Sequence, residues 1–141
     1  MNLIIAKIGH NITVNYALDE LLRCLKAMDS SVFIDTRTYD KIDHSRKDIL
    51  WVGLTDMMNH SIDDDEIFID VVDGGGVISG SNPRSVLIAV YRFLYSLGCR
   101  WLRPGDDGEI IPTRSLEKSD MNVSVSEKAS FRNSELSHSL T

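Results

Sequence analysis

Residues Glu66 to Gly98 constrain the fold more than any other part of the chain, because three local signals follow one another without a gap. "EIFIDVV" alternates, with Ile67, Ile69 and Val71 facing one way and Phe68, Asp70 and Val72 the other, which is the pattern of a strand. Asp73, Gly74 and Gly75 come next, residues that accept positive φ at little cost, and "GVISG" extends again. The stretch therefore predicts a β-hairpin with its turn at Gly74 and Gly75. A helix must follow. Asn82 suits its N-cap, Pro83 its first position and Gly98 the position just past its last turn. Val86, Val90, Phe93 and Leu97 supply the apolar stripe, widened by Leu87 and Leu94.

The same glycines raise the question of a phosphate site. A P-loop needs a lysine and a hydroxyl residue after its last glycine, but Gly80 is followed by "SNPRS". A dinucleotide fold needs G-x-G-x-x-G opening into a helix, with an acid about 20 residues on for the ribose. Gly74, Gly76 and Gly80 have the wrong spacing, and Arg100 and Trp101 stand where the acid would. The glycines predict turns, and no cofactor is expected.

The rest of the chain fills in an α/β layer. Leu3 to Ile8 reads as a first strand, and Leu18, Leu21, Leu22, Leu25 and Met28 recur at helical spacing from Tyr16 onward. "SVFID" (Ser31 to Asp35) is a short strand and the polar "TRTYDKIDHSRKD" a loop. "ILWVGLT" (Ile49 to Thr55) is apolar nearly throughout, as suits a strand covered on both faces. "MMNHSIDDD" reads as a connection and "CRWL" as a final strand. The order β-α-β-β-β-β-α-β predicts an α/β (α+β) two-layer sandwich, a mixed sheet with two main helices on one face. From about Ser115 the serine-rich composition predicts a linker or frayed tail, dividing the chain into a domain over 1–114 and a tail over 115–141.

Composition narrows the function classes. The net charge of −6 and the scattered basic residues argue against a nucleic-acid partner. No run approaches the roughly 18 apolar residues of a membrane span. "MNLIIAKIGHN" reads as a strand, so the chain looks cytoplasmic as written; a secreted or periplasmic chain trimmed of its leader would read the same. Cys24 and Cys99 form no C-x-x-C and read as two buried thiols. The four histidines are far apart, and neither "DDDE" (Asp63 to Glu66) nor "PGDDGE" (Pro104 to Glu109) has the spacing of a metal loop or of facing catalytic carboxylates. Catalytic residues, metal ligands and cofactor contacts are all expected to be none.

The segment "GGGVISGSNPRSVLIAVYRFLYSLGCRWLRPGDDGEIIP" carries a resemblance. Ile78, Gly80, Arg84, Ala89, Val90, Tyr91, Phe93, Leu94, Leu97, Gly98, Cys99, Arg100, Trp101, Pro104, Gly105, Gly108, Glu109, Ile111 and Pro112 follow a pattern of the form I-x-G-G-x-x-R-G-x-x-x-A-V-Y-x-F-L-E-x-L-G-C-R-W-x-x-P-G…G-E-x-I-P. With "YALDELLRCLKAM" and "ILWVGLT" upstream, it resembles the N-terminal domain of bacterial glycoside hydrolases of the α-glucuronidase type and their uncharacterised relatives, over about residues 3 to 112. Ser81 and Ser85 stand where glycines are usual, and Tyr95 replaces the usual acid. The resemblance implies a zincin-like accessory domain, similar to the second domain of β-hexosaminidases and without a zinc motif, preceding a (β/α)₈ barrel that holds the catalytic carboxylates. "EKASFR" (Glu127 to Arg132) looks like the lead-in to such a barrel, which the residues after it are too few to form. No catalytic residue of the family can be carried over.

The expectation is thus a non-catalytic accessory domain of a carbohydrate-active enzyme, with its catalytic barrel as partner and Arg100, Trp101 and Arg103 at the interdomain contact. The competing reading of those three leaves Trp101 in the core and the arginines in solvent. Two other functions stay open: a stand-alone module that binds an oligosaccharide, and a scaffold that dimerises through an exposed sheet face.

Overall fold

The computed structural model describes residues 1–55, 64–101 and 108–130. The elements in chain order are β1 (Asn2–Ile8), α1 (Ile12–Met28), β2 (Phe33–Tyr39), β3 (Ile49–Gly53), β4 (Asp64–Val72), β5 (Gly75–Gly80), α2 (Pro83–Ser96), β6 (Arg100–Trp101), β7 (Glu109–Ile110), a 3₁₀ turn (Lys118–Asp120) and β8 (Val123–Ser130). Six strands form one mixed sheet in the order β2-β1-β3-β5-β4-β8. β2, β1, β3 and β5 are mutually parallel, while β4 runs against both β5 and β8. The protein is an α+β two-layer sandwich.

Both helices lie on one face. Leu21, Leu25 and Met28 of α1 share a cluster with Val86, Phe93 and Leu94 of α2 and with Leu3, Ile5, Leu50, Ile69 and Ile78 of the sheet, all essentially solvent-free. Each such side chain contributes roughly 1.5–3 kcal/mol by leaving water. β3, buried at all five positions, also faces a second cluster on the opposite side, formed by Ala6, Ile8, Ile49, Trp51 and Val77. Connection geometry explains that side. A β-α-β crossover is right-handed, so α1 occupies one face as the chain moves outward from β1 to β2. The return from β2 to β3 moves the other way and crosses the opposite face. Ile42 of this return packs there, and the Trp51 indole donates to the Arg46 carbonyl at 3.5 Å.

The predicted hairpin is present with a tighter turn than Asp-Gly-Gly. Val72 pairs with Gly75, leaving only Asp73 (φ 50°) and Gly74 (φ 79°) in the loop, the two positive φ values of a type I′ turn. Gly75 is already a strand residue. Around α2 the sequence signals hold: Asn82 accepts from the Ser85 N–H, Pro83 opens the helix, and Gly98 (φ 114°) follows its last turn. The Gly98 N–H donates to Tyr95 and the Cys99 N–H to Leu94, which is a Schellman ending with Cys99 buried behind it.

Four expectations need correction. α1 starts at Ile12, before Tyr16, because the Asn11 side chain accepts from the Thr13 and Val14 N–H groups. β2 runs to Tyr39: the polar residues Thr36 to Tyr39 were expected in a loop, but they pair with Ile5 to Ile8 at an edge where polar side chains reach water. "CRWL" gives a strand outside the main sheet, since Arg100 and Trp101 pair with Ile110 and Glu109 in a separate ribbon. Residues 115–130 are no linker. Leu116 and Met121 are buried, and β8 pairs with β4 along its whole length from Val123 to Ser130. The tail expected over 131–141 lies outside the described residues.

Candidate functional site

The glycine cluster sits at the wrong end of β5 to serve α2. The turn at Asp73 and Gly74 precedes β5, and six strand residues, roughly 20 Å of extended chain, separate it from the helix N-terminus. That N-terminus is closed by the chain itself. The Asp65 carboxylate, from β4, accepts from Asn82 Nδ2 at 3.0 Å, from Ser85 Oγ at 3.2 Å and from Arg84 NH2 at 2.8 Å. Burial pushes the Asp65 carboxyl up, but Arg84, Asn82 and Ser85 together hold it below the usual carboxylate range. The protein's own anion occupies the place where a phosphate would meet the helix dipole.

A second polar constellation lies where the β6–β7 ribbon meets both helices. Glu20 and Arg23 stand one helical turn apart on α1, and the Arg23 guanidinium forks between two carboxylates. It donates to Glu20 from Nε at 2.8 Å and to Glu109 of β7 from NH1 at 2.9 Å and NH2 at 2.6 Å. Tyr91 of α2 donates its hydroxyl to Glu20 at 2.9 Å, and the Trp101 indole donates to Glu109 at 3.0 Å. The circuit is completed by the Tyr91 and Trp101 rings, edge to face with centroids 4.9 Å apart. The side chains of Glu20 and Glu109 are only 13% and 17% exposed, against 46% for Arg23.

The electrostatics follow from that geometry. Arg23 holds both Glu20 and Glu109 below the ordinary carboxylate range, outweighing burial in each case. Burial first, and the Glu20 carboxylate second, push the Tyr91 hydroxyl far up, so it stays a donor. Beneath this surface the thiols of Cys24 and Cys99 touch in the core; that contact and burial push Cys24 up. A general acid near neutral pH needs a raised carboxyl, and these two carboxylates are shifted the opposite way. The constellation can clamp and orient. Neither carboxylate is poised to give up a proton near neutral pH.

Of the residues expected at an interdomain contact, Trp101 and Arg100 share the ribbon strand β6. Trp101 is half-buried inside the clamp, while the Arg100 guanidinium lies 3.7 Å over the Tyr95 ring and donates to the Tyr95 and Cys99 carbonyls at 2.8 Å. A cation thus caps the carbonyl end of α2. Arg103 lies outside the described residues. Glu20, Arg23, Tyr91 and Glu109 were not among the expected site residues. The i, i+3 spacing of Glu20 and Arg23 on an amphipathic helix was the available signal, and Glu109 proves to be a strand residue rather than part of an acidic turn.

Among the described residues no cluster of three or more His, Cys, Asp or Glu could hold a metal ion, and no helix is long and apolar enough to cross a membrane. Comparison with protein-family models and with curated proteins found no match to this chain.

Proposed function

We propose that this chain is a non-catalytic N-terminal accessory domain of a carbohydrate-active enzyme of the α-glucuronidase type, which packs against a (β/α)₈ catalytic barrel and positions it. The observation that carries this reading is the clamp itself. Glu109, which accepts from the Trp101 indole, and Glu20, which accepts from Tyr91, are both committed to Arg23 and held ionised, so among the described residues the ribbon and the two helices are joined by a clamp instead of an acid–base pair. The positions behind the resemblance do structural work of the same kind. Ala89, Val90, Phe93, Leu94 and Cys99 are fully buried, Arg84 is tied to Asp65, and Gly98 ends α2. Arg100 and Trp101 of β6 are the proposed barrel contacts.

The test is enzymatic and calorimetric. Incubation of the purified chain with a panel of aryl glycosides should give no turnover above buffer, and titration with oligosaccharides should give no heat. Turnover at an ordinary enzymatic rate, on the order of 1 s⁻¹ or more, would sink the accessory reading. Heat of binding without turnover would replace it with a carbohydrate-binding module.

A further inference from the structure

We infer that β2 is a self-complementary edge through which two copies of this chain join, making one continuous sheet across a twofold axis. The inference is independent of the proposed accessory role. β2 ends the sheet among the described residues, seven residues long and without proline or glycine. Sheet edges of that length are ordinarily blunted or covered, because their free N–H and C=O groups recruit another strand. α1 packs over β1 and β3, and beside β2 it leaves a groove of about 470 Å³ lined by Asp19, Leu22, Arg23, Lys26, Ile34 and Thr36. The helix layer therefore stops short of this edge.

The hydrogen-bond pattern fixes which groups are free. The Phe33 N–H donates to Met1 and the Gly9 N–H donates to the Tyr39 carbonyl, so the odd-numbered residues of β2 turn their backbone groups toward β1. Ile34, Thr36 and Thr38 consequently turn theirs outward. An antiparallel copy centred on Thr36 places Thr36 opposite Thr36 and Ile34 opposite Thr38, the three positions with outward donors and acceptors. The intervening pairs are then Asp35 opposite Arg37 and Phe33 opposite Tyr39, each made twice by the symmetry. Those are the non-hydrogen-bonded positions, where side chains come closest.

The surfaces match this register. Phe33 is 63% and Tyr39 37% exposed, on the same face as Asp35 and Arg37. Within one chain Arg37 NH2 already sits 2.9 Å from Asp35, and both side chains remain substantially in solvent, within reach of a partner strand. Opposite charges therefore meet at two cross-strand pairs and aromatic rings at two more. The register is specific: a shift by two residues would set Arg37 against Arg37 or Asp35 against Asp35.

Sedimentation velocity of the full chain over a micromolar concentration series tests this. The expected result is a species of twice the 15.8 kDa chain mass. Arg37→Asp, which sets like charges opposite each other twice, should raise the dimer dissociation constant roughly tenfold. The swapped pair Asp35→Arg with Arg37→Asp should restore it. Thr36→Pro removes only an outward N–H and blocks edge pairing, so it should be monomeric with an unchanged circular dichroism spectrum. A wild-type chain that stays monomeric throughout the series overturns the inference. So does a dimer that Thr36→Pro and Arg37→Asp both leave intact, since another surface would then be holding it.

Discussion

Replacing Arg23 by methionine tests whether the clamp between the ribbon and the helices is held by charge. Methionine keeps an apolar stem over the helix surface and removes only the fork. An exposed ion pair contributes about 0–1 kcal/mol, and a hydrogen bond to a charged group in a drier place about 1.5–3 kcal/mol. Here the guanidinium is 46% exposed while its two partners are 13% and 17% exposed, an intermediate case. Discounted for solvent at the arginine, the loss at pH 7 should be about 2 kcal/mol. Its pH dependence is more telling than its size. In the wild type Arg23 lowers the Glu20 and Glu109 carboxyls below their unfolded values, so their contribution is fully present above about pH 5 and fades as pH falls through the folded values. Without Arg23 the two carboxylates are left partly buried and close to each other, which raises both. The difference between the proteins should thus be largest at neutral pH and smaller near about pH 3.5, below the unfolded carboxylate values. Urea unfolding followed by tryptophan fluorescence at the two pH values reads both quantities. A loss that is equal at both pH values, or below about 0.5 kcal/mol at pH 7, would mean that Arg23 is solvated and the clamp rests on the contacts of Tyr91 and Trp101 with each other, Glu20 and Glu109.

Glycine positions separate strain from collision. Gly76→Ala should cost about 3 kcal/mol or more in chemical denaturation, because φ is 138° and a Cβ would run into the Asp70 carbonyl oxygen. Gly9→Ala, with φ at 76° but open space around the Cβ, should cost only about 1 kcal/mol. Ser79 is fully buried and its hydroxyl has no hydrogen-bond partner among the described residues, so Ser79→Ala should leave the thermal midpoint unchanged or raise it, by up to about 1 kcal/mol of stability. A drop of that size instead would reveal a hidden bond. Amide hydrogen exchange should show protected amides in β8 on the side that pairs with β4, where a linker would exchange at unfolded-chain rates throughout.

What could be read from the sequence, and what could not, divides along the range of the forces involved. The hairpin, the caps of α2 and the apolar stripe of Phe93 and Leu97 are decided within a few residues, by φ preferences and side-chain-to-backbone bonds, and those were legible. The polar residues Thr36 to Tyr39 hide the second half of β2, because an edge strand needs only one hydrogen-bonded partner and can leave all its side chains partly in water. β8 carries its own signal. Val123, Ser124, Val125 and Ser126 alternate with the period of a strand, Val123 and Val125 packing toward the helix-side core. The serine content masked a pattern that was there: composition argued for solvent, periodicity for a sheet edge, and at an edge both are satisfied. The clamp lies beyond any such local reading. Arg23 and Glu109 are 86 residues apart, and their pairing depends on the Schellman ending of α2 turning β6 back over α1. The "GCRW" stretch shows how the two ranges connect. Its glycine is a local signal for a helix end, and that local turn is what sets Trp101 beside Tyr91 and brings Glu109 within reach of Arg23.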